Sequence, residues 1–129
     1  MPSDVIESQA DRRPEPMSES IETAEKAIGD LDSLNRALLE SLPASMPWQR
    51  QLRAGLVGAD ARSEVLRLVI ALGKSEKEIA AAGGDLLAAM RVANAQLASG
   101  RADVNTKAAV LFALNLTHRI VDGLSSGRA

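Results

Sequence analysis

The chain contains a single histidine, His118, and no cysteine. A thiolate nucleophile, a disulfide framework and every cysteine-based metal site are therefore excluded, and so is a multi-histidine metal site. A nucleophile–base pair would have to be built on His118, yet no serine sits in a strained strand-to-helix elbow. The paired carboxylates Asp30 and Asp32, and Glu76 and Glu78, are two residues apart. On a helix that spacing splays them onto different faces, so they read as solvated surface. The stretch Leu72-Gly73-Lys74-Ser75 ends like a phosphate-binding loop, but the first glycine such a loop requires would stand at Leu68. The reading it supports is a helix stop followed by the capping box Ser75-Glu76-Lys77-Glu78. No catalytic set emerges, and we expect neither an enzyme nor a cofactor.

Two other chemistries remain as alternatives. His118 lies four residues after Leu114 and three before Val121, at the edge of an apolar face. The chain is similar to histidine phosphotransfer modules in size and helix content only. The basic and small residues expected soon after a phosphorylated histidine are poorly met by His118-Arg119-Ile120-Val121-Asp122-Gly123. A partly buried boundary histidine is the simpler reading. Arg50 and Arg53, one helical turn apart and supplemented by Arg12 and Arg13, could face nucleic acid. Against that, Trp48 and Phe112 are the only aromatic residues, and no helix-turn-helix signature is evident.

The elements that would position these groups are helical. The 129 residues include 22 Ala and 17 Leu, with one Trp, one Phe and no Tyr. That inventory favours helices packed through small and straight-chain side chains over a sheet. Residues 1–17 carry four acids, two arginines and three prolines with no apolar run beyond Val5 and Ile6, which predicts a flexible arm and no secretory signal. The apolar runs at 68–72 and 108–114 are too short to span a bilayer, and we expect a cytoplasmic protein with no membrane contact.

From Ser18, a candidate N-cap, Ile21, Ala24, Ile28, Leu31, Asn35, Leu38 and Leu42 recur at three- and four-residue steps, the stripe of an amphipathic helix. Asn35 interrupts it where an apolar residue is expected. It either pairs with a symmetry mate, in which case Asn35→Leu would stabilise an assembly and loosen its stoichiometry, or it turns to solvent. Pro43 and Pro47 bracket a turn, with Ser45 or Met46 capping the next helix and Pro47 in its first turn. Gly55, Gly58 and Asp60 leave one kinked helix or two over 47–73. Val65, Leu66, Leu68, Val69, Ile70 and Leu72 are apolar almost all round and predict burial on most sides, ending at Gly73 as the residue after the cap. The third helix carries Ile79, Leu86, Met90, Ala93 and Leu97. Its Ala80, Gly84 and Ala88, four apart, suggest a smooth face for close helix approach. The last helix starts near Asp103 or Asn105 and runs to about Leu124. It presents Val110, Leu114, Thr117 and Val121 on one face and Phe112, Leu116 and Ile120 on another, which suits a bundle centre or an oligomer interface.

The expected fold is all-α: a bundle of four, or five, helices over 18–124, a flexible arm before it and a short tail over 125–129. Residues 1–42 hold ten acids and four bases, and 43–129 hold seven acids and eleven bases. Either the acidic first helix lies against Arg50, Arg53, Arg62 and Arg67, or the acidic arm competes with an acidic partner for that face. By elimination, the function expected is binding another protein, as an adaptor, regulator or chaperone-like module that also forms a homodimer. The candidate contacts are Leu31, Leu34, Leu38 and Leu42 on the first helix, Trp48 at the corner, and Arg50 and Arg53. A nucleic-acid-associated regulator using Arg50 and Arg53, or phosphotransfer through His118, are the alternatives.

Overall fold

A computed structural model describes residues 16–98 and 100–126. Four helices, α1 (Pro16–Ser41), α2 (Pro47–Ala71), α3 (Glu76–Ala98) and α4 (Val104–Ser126), follow one another through short connections, and no strand occurs among the described residues. At 23 to 26 residues each, the helices are about 35–39 Å long. Connections this short force sequential helices to run antiparallel. Each helix packs on its two ring neighbours, α1 on α2 and α4, and α3 on α2 and α4, with no diagonal contact. This is an up-down-up-down four-helix bundle.

The ends follow local chemistry. α1 begins at Pro16, two residues before the expected cap, so Ser18 lies inside the helix; a proline is well suited to a first turn because its missing N–H has no intrahelical partner there. The remainder of the expected arm, and residues 127–129 of the expected tail, lie outside the described residues. α2 is one continuous helix across Gly55 and Gly58, so no fifth helix forms among the described residues. Met46 is its N-cap in extended conformation, and the Gln49 side chain folds back to accept the Ser45 and Met46 amides at 3.1 and 2.9 Å. At the other end Gly73 takes φ +68. Its N–H reaches the Ile70 carbonyl and that of Lys74 reaches Val69, a Schellman closure that needs a residue without Cβ strain. The capping box forms as expected: Ser75 Oγ accepts the Glu78 amide at 3.2 Å, and Glu78 Oε1 accepts the Ser75 amide at 3.2 Å. Asp103 caps α4, accepting the Thr106 amide at 3.0 Å and its hydroxyl at 2.7 Å. These two bonds from Thr106 hold the Asp103 carboxyl below its ordinary pKa.

The core is aliphatic. Ile28 and Leu31 of α1, Leu52, Leu56 and Leu66 of α2, Leu86 and Met90 of α3, and Val110 and Ile120 of α4 are fully or almost fully buried. Polar groups enter it from α1. Asp32, expected on a solvated face, is buried: Ser63 Oγ donates to its Oδ1 at 2.7 Å and Arg67 Nη2 pairs with its Oδ2 at 2.6 Å. It lies one position beyond Leu31, on the flank that α2 covers. Asn35 is completely buried inside its own chain, so it does not turn to solvent, and neither amide atom has a hydrogen-bond partner.

Three further expectations change. In 65–72 only Leu66 and Ile70 are buried, because a bundle corner covers one side of α2, and Val65, Leu68 and Leu72 stay exposed. On α3 the inward stripe takes Ala82 and Gly83, which turns Ala80, Gly84 and Ala88 outward. The close approach is at Gly83, where a Cβ would stand 3.6 Å from Leu124 and Val121 of α4, whereas a Cβ at Gly84 would meet nothing. α4 occupies a corner like its neighbours and is not the bundle's centre. Its Leu116 and Ile120 are buried while Phe112 is exposed.

Candidate interaction surface

The sequence-derived contact residues fall mostly into the chain's own packing. Leu31 and Leu42 belong to the core, and Leu34, Leu38 and Trp48 are partly buried against it. Arg50 donates to the Ala44 and Ser45 carbonyls at 3.2 and 3.1 Å. Arg53 donates to the Leu39 and Leu42 carbonyls at 2.6 and 3.1 Å, and so satisfies the free C-terminal end of α1 from α2. Of the four arginines expected to meet the acidic first helix, Arg67 makes the ion pair, with Asp32. Arg62 donates to the Gly58 carbonyl of its own helix.

The other candidate chemistry is placed just as plainly. The amides of Gly73, Lys74 and Ser75 are all bonded within the α2–α3 turn, to Ile70, Val69 and Glu78, which leaves no cradle of free N–H groups for a phosphate. His118 is partly buried on α4 and makes no hydrogen bond to another described residue. Among the described residues no group of three or more His, Asp and Glu side chains is placed to hold a metal ion.

What the structure brings to the surface is the outer side of α2. Leu52, Leu56, Ala59, Ser63, Leu66 and Ile70 face inward. At 3.6 residues per turn the opposite side carries Ala54, Val57, Ala61, Val65, Leu68 and the C-cap residue Leu72. Val57, Val65, Leu68 and Leu72 are 56, 52, 56 and 61% exposed, and both alanines are exposed as well. The six form an apolar seam along the outer edge of the helix from Ala54 to Leu72, preceded on the same side by the exposed Arg50. On its α3 side the seam borders a groove of about 550 Å³, floored by Gly55, Gly58, Ala88 and Ala89 and rimmed by Arg62, Asp85 and Val92. A smaller depression of about 200 Å³ at Val65 and Ala82 continues it. Arg62 and Asp85 both line the two hollows without pairing with each other. A third hollow, of about 190 Å³, lies between α1 and α4, at Thr23, Lys26, Ala27, Asp30, Leu116 and Arg119.

The signal for the seam was present in the sequence as apolar residues on all sides of 65–72. Periodicity alone does not say which of two apolar faces meets the core. No described helix is long and apolar enough to cross a membrane. Comparison with protein-family models, curated proteins and solved structures yields no match to this chain.

Proposed function

We propose that this protein is a non-catalytic, cytoplasmic protein-binding module, of the adaptor, regulator or chaperone-like kind, whose contact surface is the outer side of α2. The seam from Ala54 to Leu72 is the observation that carries this reading. The largest contiguous apolar patch on a monomer, typically a few hundred Å², is often its interaction site, and a helical surface of this shape suits contact with another helix. Arg50 and Arg53 hold backbone carbonyls of the helix one–two corner, which favours an apolar protein contact over the nucleic-acid alternative.

Affinity capture from host lysate with a C-terminally tagged full chain, at low and at moderate salt, tests the proposal. An apolar contact retains the same protein, in stoichiometric amount, at both salts. Retention of nucleic acid at low salt alone would overturn it, because counterion release makes phosphate contacts steeply salt-dependent.

A further inference from the structure

We propose that the α2 seam is a two-fold interface between two copies of this chain, with their α2 helices antiparallel about a point near Ser63. The inference rests on reading the outer side of α2 as a protein-binding surface, and it names the occupant. Two observations select a second copy.

The first is that the seam complements itself. An antiparallel pairing centred near residue 63 sets Ala54 opposite the partner's Leu72, Val57 opposite the partner's Leu68 and Ala61 opposite the partner's Val65. Each alanine then meets a larger side chain, while Val57 and Leu68 face one another at the intermediate level, a pattern in which the two stripes interdigitate. A two-fold interface requires the same patch on both subunits to be its own complement. A seam shaped for an unrelated helix carries no such constraint. The two alanines, at 54 and 61, fall where the self-pairing needs small side chains.

The second is area. Four branched side chains each more than half exposed, with the two exposed alanines between them, present roughly 500 Å² per copy, so the pair buries at most about 1,000 Å², the size of a weak, reversible interface below the roughly 1,200–2,000 Å² of stable ones. Arg62 and Asp85 stand beside the seam at the groove rim, where an interface keeps its charged groups wet.

The absence of cysteine from the natural sequence makes the geometry directly testable. Ala61→Cys and Val65→Cys are both exposed substitutions that leave the core untouched. Mixed and mildly oxidised, the two variants should join as a heterodisulfide in preference to either homodisulfide. In the antiparallel pair, residue 61 of one copy stands level with residue 65 of the other, whereas equal residues are offset along the axis by about 6 Å and are worse placed for a disulfide. In parallel, sedimentation equilibrium of the unmodified chain should show a monomer–dimer equilibrium. Leu68→Glu should weaken it on the order of 100-fold with helix content unchanged, since a carboxylate would be buried at the interface.

Ala61→Cys cross-linking to itself in preference to Val65→Cys would overturn the antiparallel arrangement. A chain monomeric throughout the concentration series would overturn the second copy. If such a monomer still captured a protein that Leu68→Glu released, the binding surface would stand with a different occupant. If Leu68→Glu changed neither property, the binding surface would fall as well.

Discussion

Replacing Asn35 with leucine should stabilise the protein, although the residue sits at zero exposure in the middle of α1's buried face. Neither Nδ2 nor Oδ1 has a hydrogen-bond partner, so the folded state carries the desolvation of an amide without the bonds that would offset it. Mutational data put that cost at about 1–3 kcal/mol. Leucine has the same number of side-chain heavy atoms and the same branch point, and it adds a favourable transfer contribution of about 1–2 kcal/mol. Its greater volume returns about 1 kcal/mol as packing strain. The net expectation is a gain of about 2 kcal/mol, or about 6–10 °C in Tm for a chain of this size. Urea unfolding followed both by helix circular dichroism and by the fluorescence of Trp48, the only tryptophan, measures it. The midpoint should rise with the slope unchanged. A stability lowered by about 1 kcal/mol or more would instead mean that the amide is hydrogen-bonded in the native protein.

Three further outcomes follow from the same packing. Asp32→Ala strips the partner from buried Ser63 and from Arg67 at once and should cost about 2 kcal/mol in chemical denaturation, while Ser63→Ala, which leaves the ion pair in place, should cost less than half of that. Gly84→Ala should raise stability by about 0.5–1 kcal/mol, because an outward Cβ meets nothing there and alanine is the better helix former; a loss of stability would place Gly84 at a contact. The capping carboxylate of Asp103 has its pKa lowered in the fold, so its contribution is complete above the ordinary value of 3.8 and is lost as pH falls through the lowered folded value. The Tm deficit of Asp103→Ala should therefore be present at neutral pH and vanish in strong acid.

Helix ends were the most legible part of the sequence. Proline at 47, glycine at 73 and the serine–glutamate pair at 75 and 78 act through their own backbone chemistry, so their role does not depend on what packs nearby. The Ser18 cap failed only because Pro16 starts a helix equally well. The positions that were misread depend on tertiary rotation. Gly83 and Gly84 are adjacent, yet one meets α4 and the other faces solvent. Asp32 sits one residue from the apolar stripe and is drawn inside because Ser63 and Arg67 wait for it on α2. Stretch 65–72 carries two apolar faces, and only the position of α2 at a bundle corner decides that Leu66 and Ile70 go in while Val65 and Leu68 stay out. Arg50 and Arg53 looked like a free basic face because carbonyls of the preceding turn, which occupy them, carry no sequence signature.

On the function proposed above, contact is made by the outer side of α2 and not by the helix one–two corner. Capture from lysate with two full-length variants side by side tests it most directly: Leu68→Glu on the seam, and Arg50→Ala at the corner, each first shown by circular dichroism to retain the helical fold. Leu68→Glu should lose the retained protein, its own untagged copy included, while Arg50→Ala should keep it. Retention by Leu68→Glu together with loss by Arg50→Ala would instead return the contact to the corner formed by Trp48, Arg50 and Arg53.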